Sequence, residues 1–170
     1  MAWLDRTSKG TDLTISVCNG SFVLARAGLL SGKSATAHHG AYGMLAATFP
    51  DITVKRGVRF VDAGNVSTAG GLTSGIDLAL HVVERYFGRS VAETTATQLE
   101  YQGNGWKDPG SNSAIAKKPV STEARPLCPV CESEVDRKTA LVGALGGLTH
   151  YFCSPGCRDR FLADPDRYKE

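Results

Sequence analysis

Long apolar runs are missing from this 170-residue chain: no stretch approaches the roughly 18 residues that a membrane-spanning helix needs. Near the start, Asp5 and Arg6 stand where a secretory leader would carry its apolar segment. A surplus of charge is missing too. Lys and Arg number 19 against 17 Asp and Glu, a formal net charge of +2 with no long basic run, so nothing marks the chain for nucleic acid or an anionic membrane surface. Cysteines are few and uneven: Cys18 stands alone, while the other four form two close pairs late in the chain. In a reducing compartment such pairs point to metal rather than disulfide. The expectation is a cytoplasmic protein with a metal ion as partner, no nucleic acid and no membrane. No internal repeat is visible.

What the chain does contain falls into three textures. Leu13 to Val17 is short and β-branched, and Asn19-Gly20 then leads into the apolar run FVLARAGLL, a pattern of buried strand, tight turn and helix. Ser34 to His38 and Ile52 to Lys55 read as strands around a helix over Ala41 to Phe49, and Val58 to Asp62 with Val66 to Ala69 as a hairpin. Ile76, Leu80, Val83 and Phe87 lie at i, i+4, i+7 and i+11, one stripe of a helix expected to face the sheet and to end at Gly88. Ser90 with Glu93 forms a capping-box pattern for a second helix reaching about Tyr101. Alternating strands and helices predict an α/β layer with mainly parallel pairing over residues 1–102. Residues 103–126, rich in Gly, Ser, Asn, Lys and Pro, read as a flexible linker. A separate module follows over 127–170.

That module carries Cys128-Pro129-Val130-Cys131 and Cys153-Ser154-Pro155-Gly156-Cys157, with 21 residues between the pairs. Two such pairs complete the tetrahedral sulfur shell that Zn2+ accepts at about 2.3 Å. So short a segment buries too little apolar surface to fold unaided, whereas structural zinc supplies roughly 10–16 kcal/mol in small metal-dependent peptides. Thr149 to Phe152 reads as a strand delivering Cys153, and Pro155 to Leu162 as a helix whose first turn would lower the pKa of Cys157. Phe152, Phe161 and Tyr168 are the expected miniature core. The alternatives are two disulfides or idle thiols. His150 lies on the strand face opposite Cys153 and is expected to pack rather than ligate.

The stretch CPVC, VDRKTA and HYFCSPGCRDRFLADPDRY resembles the YHS domain, a small metal-binding module related to TRASH-type domains. Many such domains open with Asp-Pro-Val-Cys-Gly-Met. Here Cys128 replaces the Asp, and Glu132-Ser133 replace the Gly-Met, a departure that favours a four-sulfur site. The resemblance extends to proteins of heavy-metal transport and resistance, which implies copper, mercury or another soft ion as alternatives to zinc.

Cys18 poses a second question, because a strand running into a sharp turn and a helix is the layout that lifts a nucleophile clear and turns backbone N–H groups toward an oxyanion. The wider run SVCNGSFVLARAGLLSGKSATAHH, RFVDAGNVSTAGGLTSGIDLALHVVERYFG and VAETTATQLEYQ resembles the ThiJ/PfpI family of the class I glutamine amidotransferase-like superfamily. Within that family the run looks like the isonitrile hydratases and the amidotransferase-like halves of certain AraC-type regulators. The resemblance places Cys18 at the family's reactive cysteine and His38 at its histidine. Asn19 departs from the residues that usually follow that cysteine, and family members carry opening strands and an acidic residue ahead of this point. The implied fold is therefore α/β: a partial, N-terminally truncated, flavodoxin-like doubly wound sheet beside a small zinc-type YHS module with four cysteine ligands. A sheet lacking its opening strands exposes an edge and apolar faces, so a homo-oligomer or a partner chain completing the sheet is expected. A buried inert cysteine is the competing reading for Cys18, and a packed core residue that for His38; His39 and His81 read as surface or packing residues. Three readings follow: a metal-binding or metal-sensing protein with a non-catalytic α/β part, a cysteine-dependent hydrolase or hydratase using Cys18, and a regulatory remnant that binds a small ligand.

Overall fold

In the computed structural model, which describes residues 2–168, helix α1 (Ala2–Ser8) leads into strand β1 (Thr14–Val17), the β-branched run ahead of Cys18. Helix α2 (Gly20–Arg26), the short strand β2 (Ser34–Ala35), helix α3 (Tyr42–Thr48) and strand β3 (Thr53–Val54) follow. Next come β4 (Phe60–Asp62), β5 (Val66–Ala69), α4 (Leu72–Phe87) and α5 (Arg89–Gln98). The last elements are the strands β6 (Leu141–Leu145) and β7 (Leu148–Phe152) and helix α6 (Pro155–Ala163). No helix among the described residues is long and apolar enough to cross a membrane.

The fold is mixed α/β. One sheet has the order β1-β5-β4; β1 runs parallel to β5, with Thr14 opposite Val66 and Val17 opposite Ala69, and β4 pairs antiparallel with β5 as the expected hairpin. β2 and β3 form a second, parallel pair. β6 and β7 form a hairpin turned at Gly146-Gly147, both with positive φ, as a two-residue turn between twisted strands requires. The chain divides into two compact units: one runs to His39 and resumes over Asp51–Lys117, and the other comprises Gly40–Pro50 with the residues from Lys118 onward.

In the first unit α4 covers the sheet, but not with the predicted stripe. Leu80 is buried, whereas Ile76 is 39% and Phe87 70% exposed. The line facing the sheet is Gly75, Leu78 and Val82: Leu78 packs with Phe60, Ala69, Val17 and Val82, and a Cβ on Gly75 would come within 2.9 Å of Val17. A glycine adds nothing to an apolar stripe, so the true contact line is invisible to a periodicity search. Leu80 belongs to a second cluster with Ala92, Ala96 and Trp106. The capping box is also not realised. Gly88, at φ 90°, is the N-cap of α5 without a side-chain bond, which puts Ser90 inside the first turn and leaves Glu93 to pair with Arg89 and Lys107.

The first part of the stretch read as a linker is tied down at a few points, although most of residues 103–126 are exposed. Trp106 is 3% exposed, the backbone N–H of Arg59 donates to the Pro109 carbonyl at 2.6 Å, and the guanidinium of Arg56 donates to the Ala116 carbonyl at 2.9 Å. These contacts are single bonds to distant residues, which leave no period in the local sequence. Beneath them lies a buried carboxylate. The Asp77 side chain has no exposure and pairs with Arg59, while Tyr101 donates to it at 3.0 Å and Arg59 also reaches Asn112 and Thr73. Burial and the bond to Asp77 raise the Tyr101 pKa. Gly105 passes so close that a Cβ there would lie 2.5 Å from Asp77 Oδ2.

Removing one partner of such a pair strands a buried charge, so Arg59→Ala is expected to cost about 3–5 kcal/mol in denaturant unfolding of this unit. A second, more exposed carboxylate sets a pH dependence. Burial alone would raise the pKa of Asp62, but bonds from His81, the Gly64 N–H and Ser67, together with the charge of Arg85, hold it below 3.8. Its contribution is therefore complete above about pH 4 and vanishes as pH falls through the lower folded value. The unfolding midpoint of Asp62→Asn should lie below wild type at pH 6, and the gap, at most about 1 kcal/mol, should close toward pH 2.

Candidate metal centre and candidate nucleophile turn

The four late cysteines converge from three separate pieces of backbone. Cys128 and Cys131 sit on a tight loop: Cys128 N–H donates to the Ser133 carbonyl at 2.8 Å and Glu132 N–H to the Cys128 carbonyl at 2.9 Å. Glu132 closes the loop at φ 62°. A bridge between Leu127 and Glu134 ties its base. β7 ends at Phe152 and delivers Cys153. Ser154 caps α6, its Oγ accepting from the Cys157 N–H at 3.3 Å with Pro155 in the first turn, so Cys157 lies at the positive end of that helix.

All four Sγ atoms lie within 4.8 Å of one another; Cys131 to Cys153 is 3.4 Å and Cys153 to Cys157 is 3.6 Å. A tetrahedron of thiolates about 2.3 Å from a zinc ion has edges of about 3.8 Å, so the set fits such an ion. The same spacing is far beyond a disulfide bond of about 2.05 Å; all five cysteines are free, which corrects the disulfide alternative. Cys128, Cys131 and Cys157 are buried and Cys153 is exposed.

Without a cation these thiols cannot all ionise. Cys131 is held down to about 4, chiefly by the hydrogen bond from Cys128, with Ser133 Oγ 3.3 Å away. Cys128 is raised by serving that bond and by burial. Cys153 is pushed up to about 11 by burial and by its neighbours Cys131 and Cys157. Ser133, one of the two residues that depart from the usual YHS opening, thus stands beside the thiolate. The expected aromatic core is present: Phe152 and Phe161 rings lie 5.4 Å apart, and Phe161 and Tyr168 rings 6.2 Å. His150 stacks 4.7 Å from Phe161 and is outside the four-sulfur set.

Sequence reasoning missed three residues around this centre. Ala47 on α3 packs against the core that contains Cys128, Cys131 and Cys157. Its carbonyl accepts from the Arg160 guanidinium, and Gly43 lies against Cys131 and Glu132. No local pattern could have joined residues more than eighty positions apart.

Cys18 occupies the predicted corner, in a conformation that non-glycine residues rarely adopt: φ is 60°, a left-handed geometry that costs an L-residue roughly 1–2 kcal/mol. Its N–H reaches the carbonyls of Gly70 at 2.7 Å and Ala69 at 3.1 Å, and Ser21 Oγ donates to its carbonyl at 3.3 Å. The side chain is half-buried. His38, also half-buried, flanks the same corner, since a Cβ on Gly71 would stand 3.8 Å from its Cδ2. The His38 and His39 rings are 4.2 Å apart. Two residues before Cys18 and His38 respectively, Ser16 Oγ and Thr36 Oγ1 are buried without a hydrogen-bond partner. His81 pairs with Asp62 and packs on Phe60.

Known proteins share both parts of the chain. The DJ-1/PfpI family model matches residues 1–85 and that of the YHS domain residues 128–170. An isonitrile hydratase of Pseudomonas putida is 46% identical over 110 residues, 65% of this chain and 46% of the relative. The HTH-type transcriptional regulator CdhR of Pseudomonas aeruginosa is 31% identical over 97 residues, 57% of this chain and 29% of the relative. A crystal structure of a ThiJ/PfpI family protein from Pseudomonas syringae superposes with a TM-score of 0.54 at 32% identity, covering 61% of this chain and 41% of that one. The chain thus spans less than half the length of these relatives.

Strain at the corner should show in unfolding when it is relieved or increased. Cys18→Gly is expected to match or exceed wild-type stability, whereas Cys18→Val, β-branched in a left-handed position, should lose about 1–2 kcal/mol more than a buried Cys→Val exchange elsewhere.

Proposed function

The chain belongs to the DJ-1/PfpI family and carries a YHS domain over residues 128–170, and on that premise we propose that it binds or senses one soft or borderline transition-metal ion, with Cys128, Cys131, Cys153 and Cys157 as the ligands. The observation that carries this reading is the convergence of four sulfurs within 4.8 Å. Zinc suits an all-thiolate tetrahedral set best, and copper(I) shares the preference for sulfur. The ion would contribute charge neutralisation, allowing four thiolates to share one small volume. The protein's part is to hold the loop, the end of β7 and the start of α6 at one point. Cys153, the exposed member, is the side from which an ion would enter and leave. Free thiols throughout suit a reducing, cytoplasmic setting.

A second reading, a cysteine-dependent hydrolase or hydratase, is favoured by the left-handed Cys18 and by His38 at the same corner, together with the isonitrile hydratase relative. A thiol there would need a base to become a nucleophile, and His38 is the candidate. β1 is an edge strand of its sheet and Ile15 on it is 46% exposed, which supports completion of the sheet by another polypeptide, a second copy included. A ligand-binding regulatory role without turnover rests on the regulator relative alone.

Protein purified without added chelator is expected to hold about one metal ion per chain by elemental mass spectrometry. Cys131→Ser should lower that occupancy severely, and Cys18→Ser should leave it unchanged. Because ligation expels thiol protons, uptake should release acid into a weakly buffered solution and weaken as pH is lowered from 8 to 6. A metal-free chain with an ordered segment 128–168 would reject the reading.

A further inference from the structure

In the order of the chain, α3 is an element of the α/β half: it connects β2 to β3, which pair in parallel through Ser34 with Thr53 and Ala35 with Val54. By its contacts it is part of the other unit, because Gly40–Pro50 clusters with the residues from Lys118 onward. Three contacts explain this. A Cβ on Gly43 would stand 2.7 Å from the Cγ and Cδ of Glu132 and 2.8 Å from the Cys131 carbonyl oxygen, so the glycine is what allows the helix to lie against the loop that holds two of the sulfurs. Ala47, one turn on, joins the core formed by Cys128, Val130, Cys131, Phe152, Cys157 and Phe161. The Ala47 carbonyl, at the C-terminal end of α3 where a cation is favoured, accepts from the guanidinium of Arg160. Arg160 lies on α6, three residues after Cys157.

One short helix therefore touches both arms of the sulfur set, the Cys128–Cys131 loop through Gly43 and the Cys157 helix through Arg160. Bringing those arms together is also what ligation requires. We propose that α3 is a positioning element of the metal centre, so that occupancy by the ion and the order of Gly40–Pro50 are coupled; this rests on the metal-binding reading above. The coupling is reciprocal, as any linkage of two binding events must be: whatever the ion does for docking of α3, docking of α3 does for affinity. Gly43 and Arg160 touch no ion themselves and act through the position of the ligand-bearing backbone.

The test uses the full chain and Zn2+ as the probe, with occupancy measured first. On adding one equivalent of Zn2+ to chelator-stripped protein, hydrogen exchange in peptides covering residues 42–48 should slow by roughly tenfold or more, along with those covering α6. Gly43→Ala, which puts a methyl group against the Cys131 carbonyl, should lower Zn2+ affinity by roughly tenfold, the scale set by outer-shell changes at metal sites. The Co2+ charge-transfer bands should still report four thiolates, and protection should persist in α6 while disappearing from 42–48. Arg160→Gln, which keeps the helix and removes the charge, should lower affinity in the same direction and gives a second reading if Gly43→Ala misfolds. Zn2+ bound tightly with unchanged exchange in 42–48, or wild-type affinity in both variants, overturns the coupling while leaving the metal site standing. Failure of the wild-type chain to take up Zn2+ or Co2+ would overturn the metal reading and the coupling with it.

Discussion

Four sulfur atoms packed within a few ångströms are an electrostatic problem before they are a site. As thiolates they repel one another, and the group favours one charge, on Cys131, at the expense of Cys128 and Cys153. A single bound cation would resolve this, and in doing so would fix a loop, a hairpin end and a helix start that share a small core of Val130, Val135, Phe152 and Phe161. A unit with so little apolar surface would gain much of its order from that crosslink. On the proposed reading, the Ser154 cap, the Ser133 hydroxyl beside Cys131 and the docking of α3 hold the arms of the crosslink where they can meet.

The α/β unit rests on a different constraint, the burial of Asp77. Its carboxylate is shielded from solvent by Arg59, Tyr101 and Gly105, residues drawn from β4's approach, the end of α5's turn and the following segment. That network pins Trp106 and the stretch behind it to the unit. It also fixes the backbone of Arg59, whose carbonyl accepts from Gly70 N–H at the corner where Cys18 turns. Strain at Cys18 is held in place by this corner, since its N–H is committed to Ala69 and Gly70. The candidate nucleophile and the candidate metal centre thus belong to different units of the chain.

Much of this could be read from the residues alone, and the reasons differ by element. The four late cysteines, the strand before Cys153 and the helix after Ser154 were legible because each rests on spacing and capping within a few residues. β1, its turn and the β4–β5 hairpin were legible because strand, turn residue and strand follow one another directly. The face of α4 was not, because its contact line runs through Gly75 and its buried polar side carries Asp77, neither of which an apolar count registers. β6 went unread because Gly143 interrupts it. The packing of 103–117 and the allegiance of α3 depend on contacts across long sequence separations, Arg59 with Pro109 and Gly43 with Glu132, and no local rule reaches that far.

X-ray absorption at the zinc edge of the zinc-loaded full-length protein addresses the central claim most directly, because it counts and identifies the atoms around the ion. Four sulfur scatterers at about 2.3 Å, with no nitrogen or oxygen shell, are the expected result. A first shell dominated by nitrogen or oxygen, or one holding two sulfurs or fewer, would contradict it.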